Sequence, residues 1–259
     1  MRVALTGGSS GIGAAVAARL KRDGHHVTAF DLTEPSENID AWVELNLADP
    51  ASIAAAAAKV SDQSFDVLIN NAGLPPREGN GELVLQVNYF GLKAFMDLML
   101  DRLPEGGVIV NTASRAGAMW RDNLEQIKGL MALGGGGDGD GLADFIAAEE
   151  IDHVRAYNLS KEAVIVLTQV MTEDLLKRGL RINSVSPAAV STGILDDFVS
   201  AFGERVGKAV ARAGRAGNAD EIADVICFLA SSDSRWIKGQ DIVIDGGISA
   251  FVTADALNG

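Results

Sequence analysis

Tyr157 and Lys161 stand four residues apart in a run, roughly His153 to Lys177, whose apolar positions recur at helical spacing. On a helix that separation makes the phenol and the ammonium neighbours on one face. A free tyrosine titrates near pH ~10, and a fixed cation beside it favours phenolate, so the pair is suited to acid/base work. A lone Y-x-x-x-K also describes an exposed tyrosine and a surface lysine on any helix, so the rest of the chain has to decide.

A second set of residues has the chemistry of a phosphate site. Thr6-Gly7-Gly8-Ser9-Ser10-Gly11-Ile12-Gly13 follows the apolar run Arg2 to Thr6 and precedes Ala14 to Arg22, a strong helix former. Gly7, Gly11 and Gly13 let the backbone turn sharply and approach a pyrophosphate, which would rest on the free N–H groups at the helix start. Asp31 closes the next apolar run, 18 residues after Gly13. A carboxylate there accepts hydrogen bonds from adenosine ribose hydroxyls and repels a 2′-phosphate, which favours NAD over NADP. Gly7-Gly8-Ser9-Ser10-Gly11 also fits G-x-S-x-G, the nucleophile elbow of serine hydrolases. Against that reading, the serine would fall on the first strand, and His153 is the only distant histidine.

The elements that must hold these residues alternate regularly. Strands are expected at Arg2 to Thr6, Val27 to Asp31, Trp42 to Leu45, Phe65 to Asn70, Gly107 to Thr112, Leu180 to Val185 and Asp241 to Ile244. Helices are expected at Ala14 to Arg22, Pro50 to Val60, about Glu82 to Arg102, His153 to Lys177 and about Asp220 to Ala230. Crossovers of this length imply parallel pairing, hence a single-domain α/β fold: a Rossmann-type, doubly wound, seven-stranded parallel sheet with helices on both faces. One segment breaks the rhythm. Residues 118–150 carry Gly134-Gly135-Gly136-Gly137-Asp138-Gly139-Asp140-Gly141 between two helical pieces, Asn123 to Leu133 and Leu142 to Glu150, and read as an insertion with a flexible middle. A calcium loop fails on spacing, since Ala143 stands where the turn glycine belongs.

Bulk composition excludes several classes. The 259 residues, 47% of them hydrophobic, suffice for one large core. A net charge of −13 argues against nucleic-acid or anionic-membrane partners. With one cysteine and three histidines, no metal site is expected; Cys227 reads as core, His25 and His26 as turn residues, and His153 as a helix-surface residue. No apolar run approaches the ~20 residues of a membrane span, and Met1 to Thr6 already reads as a strand, so a cytoplasmic protein is expected.

Further motifs complete a pattern: Asn70-Asn71-Ala72-Gly73 after a buried strand, Val87-Asn88-Tyr89-Phe90-Gly91, Asn111-Thr112-Ala113-Ser114, Arg181-Ile182-Asn183, Ser186-Pro187 and Asp245-Gly246-Gly247. With the glycine turn and Y-x-x-x-K, they occur in the order found in the short-chain dehydrogenase/reductase family, which the chain resembles along nearly its whole length. The resemblance implies a tetrad. Ser114 would donate to the substrate oxygen, Tyr157 would transfer its proton, Lys161 would hold the nicotinamide ribose and lower the Tyr157 pKa, and Asn88 would link Lys161 to solvent. It further implies dinucleotide contacts from Gly7, Ser9, Ser10, Gly11, Ile12, Gly13, Asp31, Asn46, Leu47, Asn71, Ala72, Gly73, Pro187, Val190 and Thr192. Ala188 stands where the family usually has glycine, and Asn46 where an aspartate is common.

Ser114 and Tyr157 are 43 residues apart, longer than usual in the family, while Gly73 to Asn88 is short. That combination looks like the bacterial 3α-hydroxysteroid dehydrogenase/carbonyl reductase subgroup, which also contains coniferyl-alcohol dehydrogenases. It implies an NAD(H)-dependent oxidoreductase interconverting hydroxyl and carbonyl on a hydrophobic steroid, aryl or secondary alcohol. The expected substrate pocket draws on Leu74-Pro75-Pro76, Arg115 to Trp120 and a lid at about 190–212. Enoyl reductases of the family place Tyr and Lys further apart. A dinucleotide-sensing regulator on the same fold is the non-enzyme alternative, although such proteins commonly lose Tyr or Lys. A homodimer or homotetramer is expected, with the insertion covering the Tyr157 helix and leaving a dimer through residues near Asp220 to Ile248.

Overall fold

The computed structural model describes residues 1–134 and 141–258. Most of the glycine-rich stretch, and with it the expected flexible loop, lies outside the described residues. Seven strands, β1 (Arg2–Thr6), β2 (His26–Asp31), β3 (Ala41–Glu44), β4 (Val67–Asn70), β5 (Val108–Thr112), β6 (Arg181–Pro187) and β7 (Asp241–Ile244), form one parallel sheet. The strand order is β3-β2-β1-β4-β5-β6-β7. The expected architecture is therefore present, with strand ends shifted by one or two residues.

Among the described residues twelve α-helices accompany the sheet: α1 (Gly11–Arg22), α2 (Pro50–Lys59), α3 (Gly81–Leu85), α4 (Leu92–Met99), α5 (Leu124–Ala132), α6 (Leu142–Ala148), α7 (His153–Val170), α8 (Thr172–Lys177), α9 (Leu195–Phe202), α10 (Glu204–Ala213), α11 (Ala219–Ala230) and α12 (Ile248–Asn258). Alternate side chains of a strand point to opposite faces, and both faces are covered, so the strands read as continuous apolar runs. Val3, Leu5, Val27, Ile69 and Val110 pack under α1 and α11. Ala4, Phe30, Leu68, Ile109 and Ile182 pack under α2, α4 and α7. Because the order reverses between β1 and β4, the loops leaving their C-terminal ends diverge and open a crevice there.

Three expectations need correction. The Tyr157 helix does not run unbroken to Lys177 but breaks at Met171, so that Leu175 turns into the core while Glu173, Asp174 and Lys177 stay exposed. The helix from Gly81 is not uniform either: it widens to a π-turn at Gln86–Gly91, where a Cβ on Gly91 would stand 2.0 Å from the Leu47 carbonyl oxygen. That continuous helical run, Gly81–Arg102, also has the length and apolar content to cross a membrane, but 61% of its most apolar window is buried inside the fold. C-terminal α12 has no counterpart in the sequence reading.

The insertion packs on α7. Asn123, just before α5, donates to Glu162 Oε1 (2.8 Å), and the Arg155 guanidinium donates to both Glu162 oxygens (3.0 and 2.6 Å) and to Gln126 (2.7 Å). The Glu162 side chain is only 1% exposed, so this network supplies the partners that a buried carboxylate requires.

Candidate active site

The C-terminal ends of β1 to β6 and the loops that follow them build the site. Beyond β1, Gly7 takes φ +73° and passes so close to the next loop that a Cβ would meet Ala72 Cα at 2.7 Å. Thr6 Oγ1 accepts from the N–H groups of Asn71 and Ala72 (3.0 and 3.1 Å), and Asn71 Nδ2 donates to the Gly7 carbonyl (3.1 Å). The glycine turn and the N-N-A-G loop thus form one unit. Helix α1 starts without a side-chain cap and with no acidic residue in its first turn, so its N–H groups face the crevice free for an anion. Asp31 lies at the lip, where Oδ2 accepts from Ser9 N (2.9 Å) and Oδ1 from Thr33 N (3.3 Å).

Deeper in, a buried polar chain ties the strands to α7: Asn70 Nδ2 donates to Asn111 Oδ1 (2.9 Å), and Asn111 Nδ2 to Thr168 Oγ1 (3.0 Å). This fixes the ends of β4 and β5 against the helix carrying Tyr157. Ser114 follows β5, its hydroxyl accepting from Ala116 N (3.1 Å), and it lines the same cleft as Tyr157. Lys161 Nζ donates to the Thr112 carbonyl (3.0 Å) and lies 5.8 Å from the centre of the Tyr157 ring.

Burial dominates the electrostatics. It pushes the Tyr157 phenol up to about 12, against the downward pull of the Ser114 hydroxyl, and brings Lys161 down to about 8. The expected lowering of Tyr157 by the ammonium is therefore absent here. Both groups sit in a low-dielectric pocket, and the ammonium is directed to a backbone carbonyl rather than to the phenol oxygen.

Together these residues line one cleft of about 1260 Å3. Of the sequence-predicted residues, Gly7, Ser9, Ser10, Gly11, Ile12, Asp31, Asn46, Leu47, Asn71, Ala72, Gly73, Ser114, Tyr157, Lys161, Pro187, Val190 and Thr192 all line it. Gly13 lies behind the turn, where a Cβ would stand 1.8 Å from the Gly7 carbonyl oxygen. Asn88 also lies behind the wall, fully buried in the π-turn. Its Oδ1 accepts from Leu74 N (2.7 Å) and its Nδ2 donates to Leu74 O (3.0 Å), so it braces the loop after β4.

The expected substrate wall is corrected in part. Leu74, Arg115, Ala116, Ile194, Phe198, Phe202, Val206 and Ala209 line the cleft, whereas Pro75 and Pro76 are buried away from it. Gly117 is pressed against α7, where a Cβ would stand 2.9 Å from the Lys161 carbonyl carbon, and Trp120 packs on the core. Ile248 and Val252 of α12, together with Leu83 and Val87, complete the apolar surface. Ile248 and Val252 carry no signal in the sequence because α12 shows no apolar stripe. No histidine lines the cleft, which leaves Ser9 without the base that the hydrolase reading requires.

An open doubly wound sheet with a glycine turn at its switch point defines the Rossmann class of α/β proteins. Residues 2–125 match the short chain dehydrogenase family, and residues 135–249 match the family described as enoyl-(acyl carrier protein) reductase. The chain is 36% identical over 251 residues to a coniferyl-alcohol dehydrogenase of Pseudomonas sp. strain HR199, covering 96% of each. It is 30% identical to the 3-alpha-hydroxysteroid dehydrogenase/carbonyl reductase of Comamonas testosteroni, covering 96% of this chain and 97% of that one. Among solved structures, the 3-alpha-hydroxysteroid dehydrogenase of Pseudomonas sp. B-0831 complexed with NADH superposes with a TM-score of 0.84 at 31% identity, covering 98% of this chain and 99% of that one. The chain belongs to the short-chain dehydrogenase/reductase family of oxidoreductases.

Proposed function

We propose that the protein is an NAD(H)-dependent dehydrogenase that interconverts a hydroxyl and a carbonyl on a hydrophobic alcohol, with aryl and steroid alcohols as the substrate classes. The observation that carries this is that Tyr157, Ser114 and Lys161 line one apolar cleft, with the Lys161 ammonium 5.8 Å from the centre of the Tyr157 ring. When bound, the nicotinamide ring would accept or supply the hydride. In oxidation Tyr157, once it has given up its own proton, takes the hydroxyl proton as phenolate; in reduction the phenol delivers that proton to the carbonyl oxygen. Ser114 donates to the same oxygen as charge develops on it. Lys161 supplies a cation over the Tyr157 ring and a donor for the ribose hydroxyls, while Asn88 keeps the Leu74 wall in register. The four-residue spacing of Tyr157 and Lys161 favours the alcohol/carbonyl couple over enoyl reduction, whose family members place the two further apart.

The residues present fit a dinucleotide. The uncapped start of α1 suits the pyrophosphate, and the backbone of Gly7 and Gly11 leaves no side chain in its way. Asp31 favours NAD. Among the described residues lining the cleft the cations are Arg115, Lys161 and Arg205, and none belongs to the glycine turn or adjoins Asp31 in sequence. Assays following NADH absorbance with panels of steroid, aryl and aliphatic alcohols test the activity. An absence of turnover with every panel member would remove the proposal. For the cofactor, Asp31→Ser is expected to reduce the NAD:NADP preference in kcat/KM by about 10- to 100-fold, the worth of hydrogen bonds to a charged group. An unchanged ratio would dismiss Asp31 as the discriminating residue.

We further propose a dimer through α11, β7 and α12. Helix α5 already occupies part of the α7 surface, whereas Phe228, Trp236, Val243 and Val252 are exposed around this edge of the sheet. Light scattering is expected to give a dimer that Trp236→Glu with Val243→Glu converts to monomer; a tetramer built through α7 would contradict it.

A further inference from the structure

Helices α9 and α10 cover the cleft without burying a single residue fully. Even so, Phe198 and Phe202 meet the Tyr157 ring edge-on, with centroids 5.2 and 6.3 Å away, and stack on each other at 6.3 Å. Apolar contact with the cleft is one source of this placement. The other is a forked ion pair. Arg77, in the loop after β4, donates from Nε to Asp197 Oδ1 (2.8 Å) and from Nη2 to Asp197 Oδ2 (2.9 Å).

Both partners are held for this geometry. The Arg77 backbone N–H donates to Asn80 Oδ1 (2.8 Å), Asn80 Nδ2 returns a bond to the Pro75 carbonyl (3.0 Å), and Pro75 and Pro76 stiffen the turn. The same loop begins at Leu74, which is clamped by Asn88. Asp197 immediately precedes Phe198, so on a helix the carboxylate turns toward Arg77 as the next side chain turns into the cleft. At the other end of the lid, Arg212 of α10 makes a second forked pair with Asp255 of α12 (2.5 and 2.8 Å).

We propose that Arg77 and Asp197 are positioning residues: their pair joins the two walls of the cleft and sets Phe198 and Phe202 against Tyr157, closing the lid over the substrate. The pair acts through the lid and touches none of the reacting groups. Its partners are 61% and 23% exposed, so salt screens it and the latch can open on each turnover. Only the kinetic consequence rests on the proposed dehydrogenase reading.

Hydrogen exchange of the ligand-free protein tests the latch without any substrate. Arg77→Gln is expected to raise exchange in residues 195–202 by about two- to five-fold, with the central sheet unchanged. The charge swap Arg77→Asp with Asp197→Arg is expected to restore protection, and about 1 M salt to loosen the same segment in the wild type. Asp174→Asn, which breaks an exposed pair on α8, is expected to leave residues 195–202 as they are. In turnover with cinnamyl alcohol and NAD, Arg77→Gln is expected to raise KM for the alcohol by a similar factor, and the swap to lower it again. Unchanged exchange in Arg77→Gln, or a swap that restores nothing, would overturn the latch. Wild-type protein inactive on all alcohols would instead remove the dehydrogenase reading, and the exchange results would still decide the latch.

Discussion

Tyr157→Phe is expected to lower kcat/KM for alcohol oxidation by about 10^2- to 10^4-fold, the contribution of a positioned acid/base, while NADH binding changes little. The substitution removes one oxygen from a side chain that is otherwise held by its ring, edge-on to Phe198 and Phe202 and beneath the Lys161 ammonium. Packing should therefore survive, so the loss measures chemistry. Burial makes the test sharper. A phenol held near 12 beside an amine held near 8 is protonated at neutral pH while the lysine remains largely cationic. The ground state thus carries the proton on Tyr157, ready for delivery in the direction of carbonyl reduction. Steady-state kinetics in both directions, with NADH titrated by its fluorescence, give the two readouts. Activity that persists in Tyr157→Phe would remove the proposed acid/base, and intact binding with no activity even in the wild type would support the dinucleotide-sensing alternative.

The fold and the dinucleotide crevice were legible because local chemistry specifies them. A parallel sheet covered on both faces writes each strand as an apolar run, and the turn after β1 can only be glycine where φ is positive or a Cβ has no room. Tyr157, Lys161 and Ser114 were readable as residue types at the ends or on the faces of such elements. What escaped depends on contacts between distant parts of the chain. Arg77 and Asp197 are separated by 120 residues, and no pattern around either announces the other. The placement of Phe198 on Tyr157 is set by how α9 docks, and its apolar periodicity indicates only that one face seeks cover. Helix α12 lacks even that signal. The π-turn is invisible to a search at 3.6 residues per turn, though Gly91 marks the close approach to Leu47 that accompanies it. For Asn88 the resemblance implies a part in proton relay and its residue type a buried amide that satisfies backbone groups; its hydrogen bonds to Leu74 are of the second kind and hold the cleft wall.

Gly13→Ala is expected to damage the cofactor crevice more than any change to a residue that lines it. A Cβ at this position would lie 1.8 Å from the Gly7 carbonyl oxygen and 2.7 Å from Asn71 Nδ2, and neither neighbour can yield cheaply. The Gly7 oxygen is backbone and accepts the Asn71 side chain, and Gly7 is itself pressed against Ala72. Relief requires either that α1 slide outward, which opens the packing of Val16 and Leu20, or that the turn unhook from the loop after β4. Overpacking of this kind costs about 2–3 kcal/mol, or roughly 4–12 °C in Tm for a domain of this size. The second consequence separates the crevice from general stability. NADH should raise the Tm of the wild type by mass action, whereas the variant, with its helix start displaced from the pyrophosphate position, should gain little at the same concentration. Thermal melts with and without NADH check both. An equal NADH-induced gain in the two proteins would mean that the anion site does not depend on this contact, and would weaken the assignment of the glycine turn as the dinucleotide cradle.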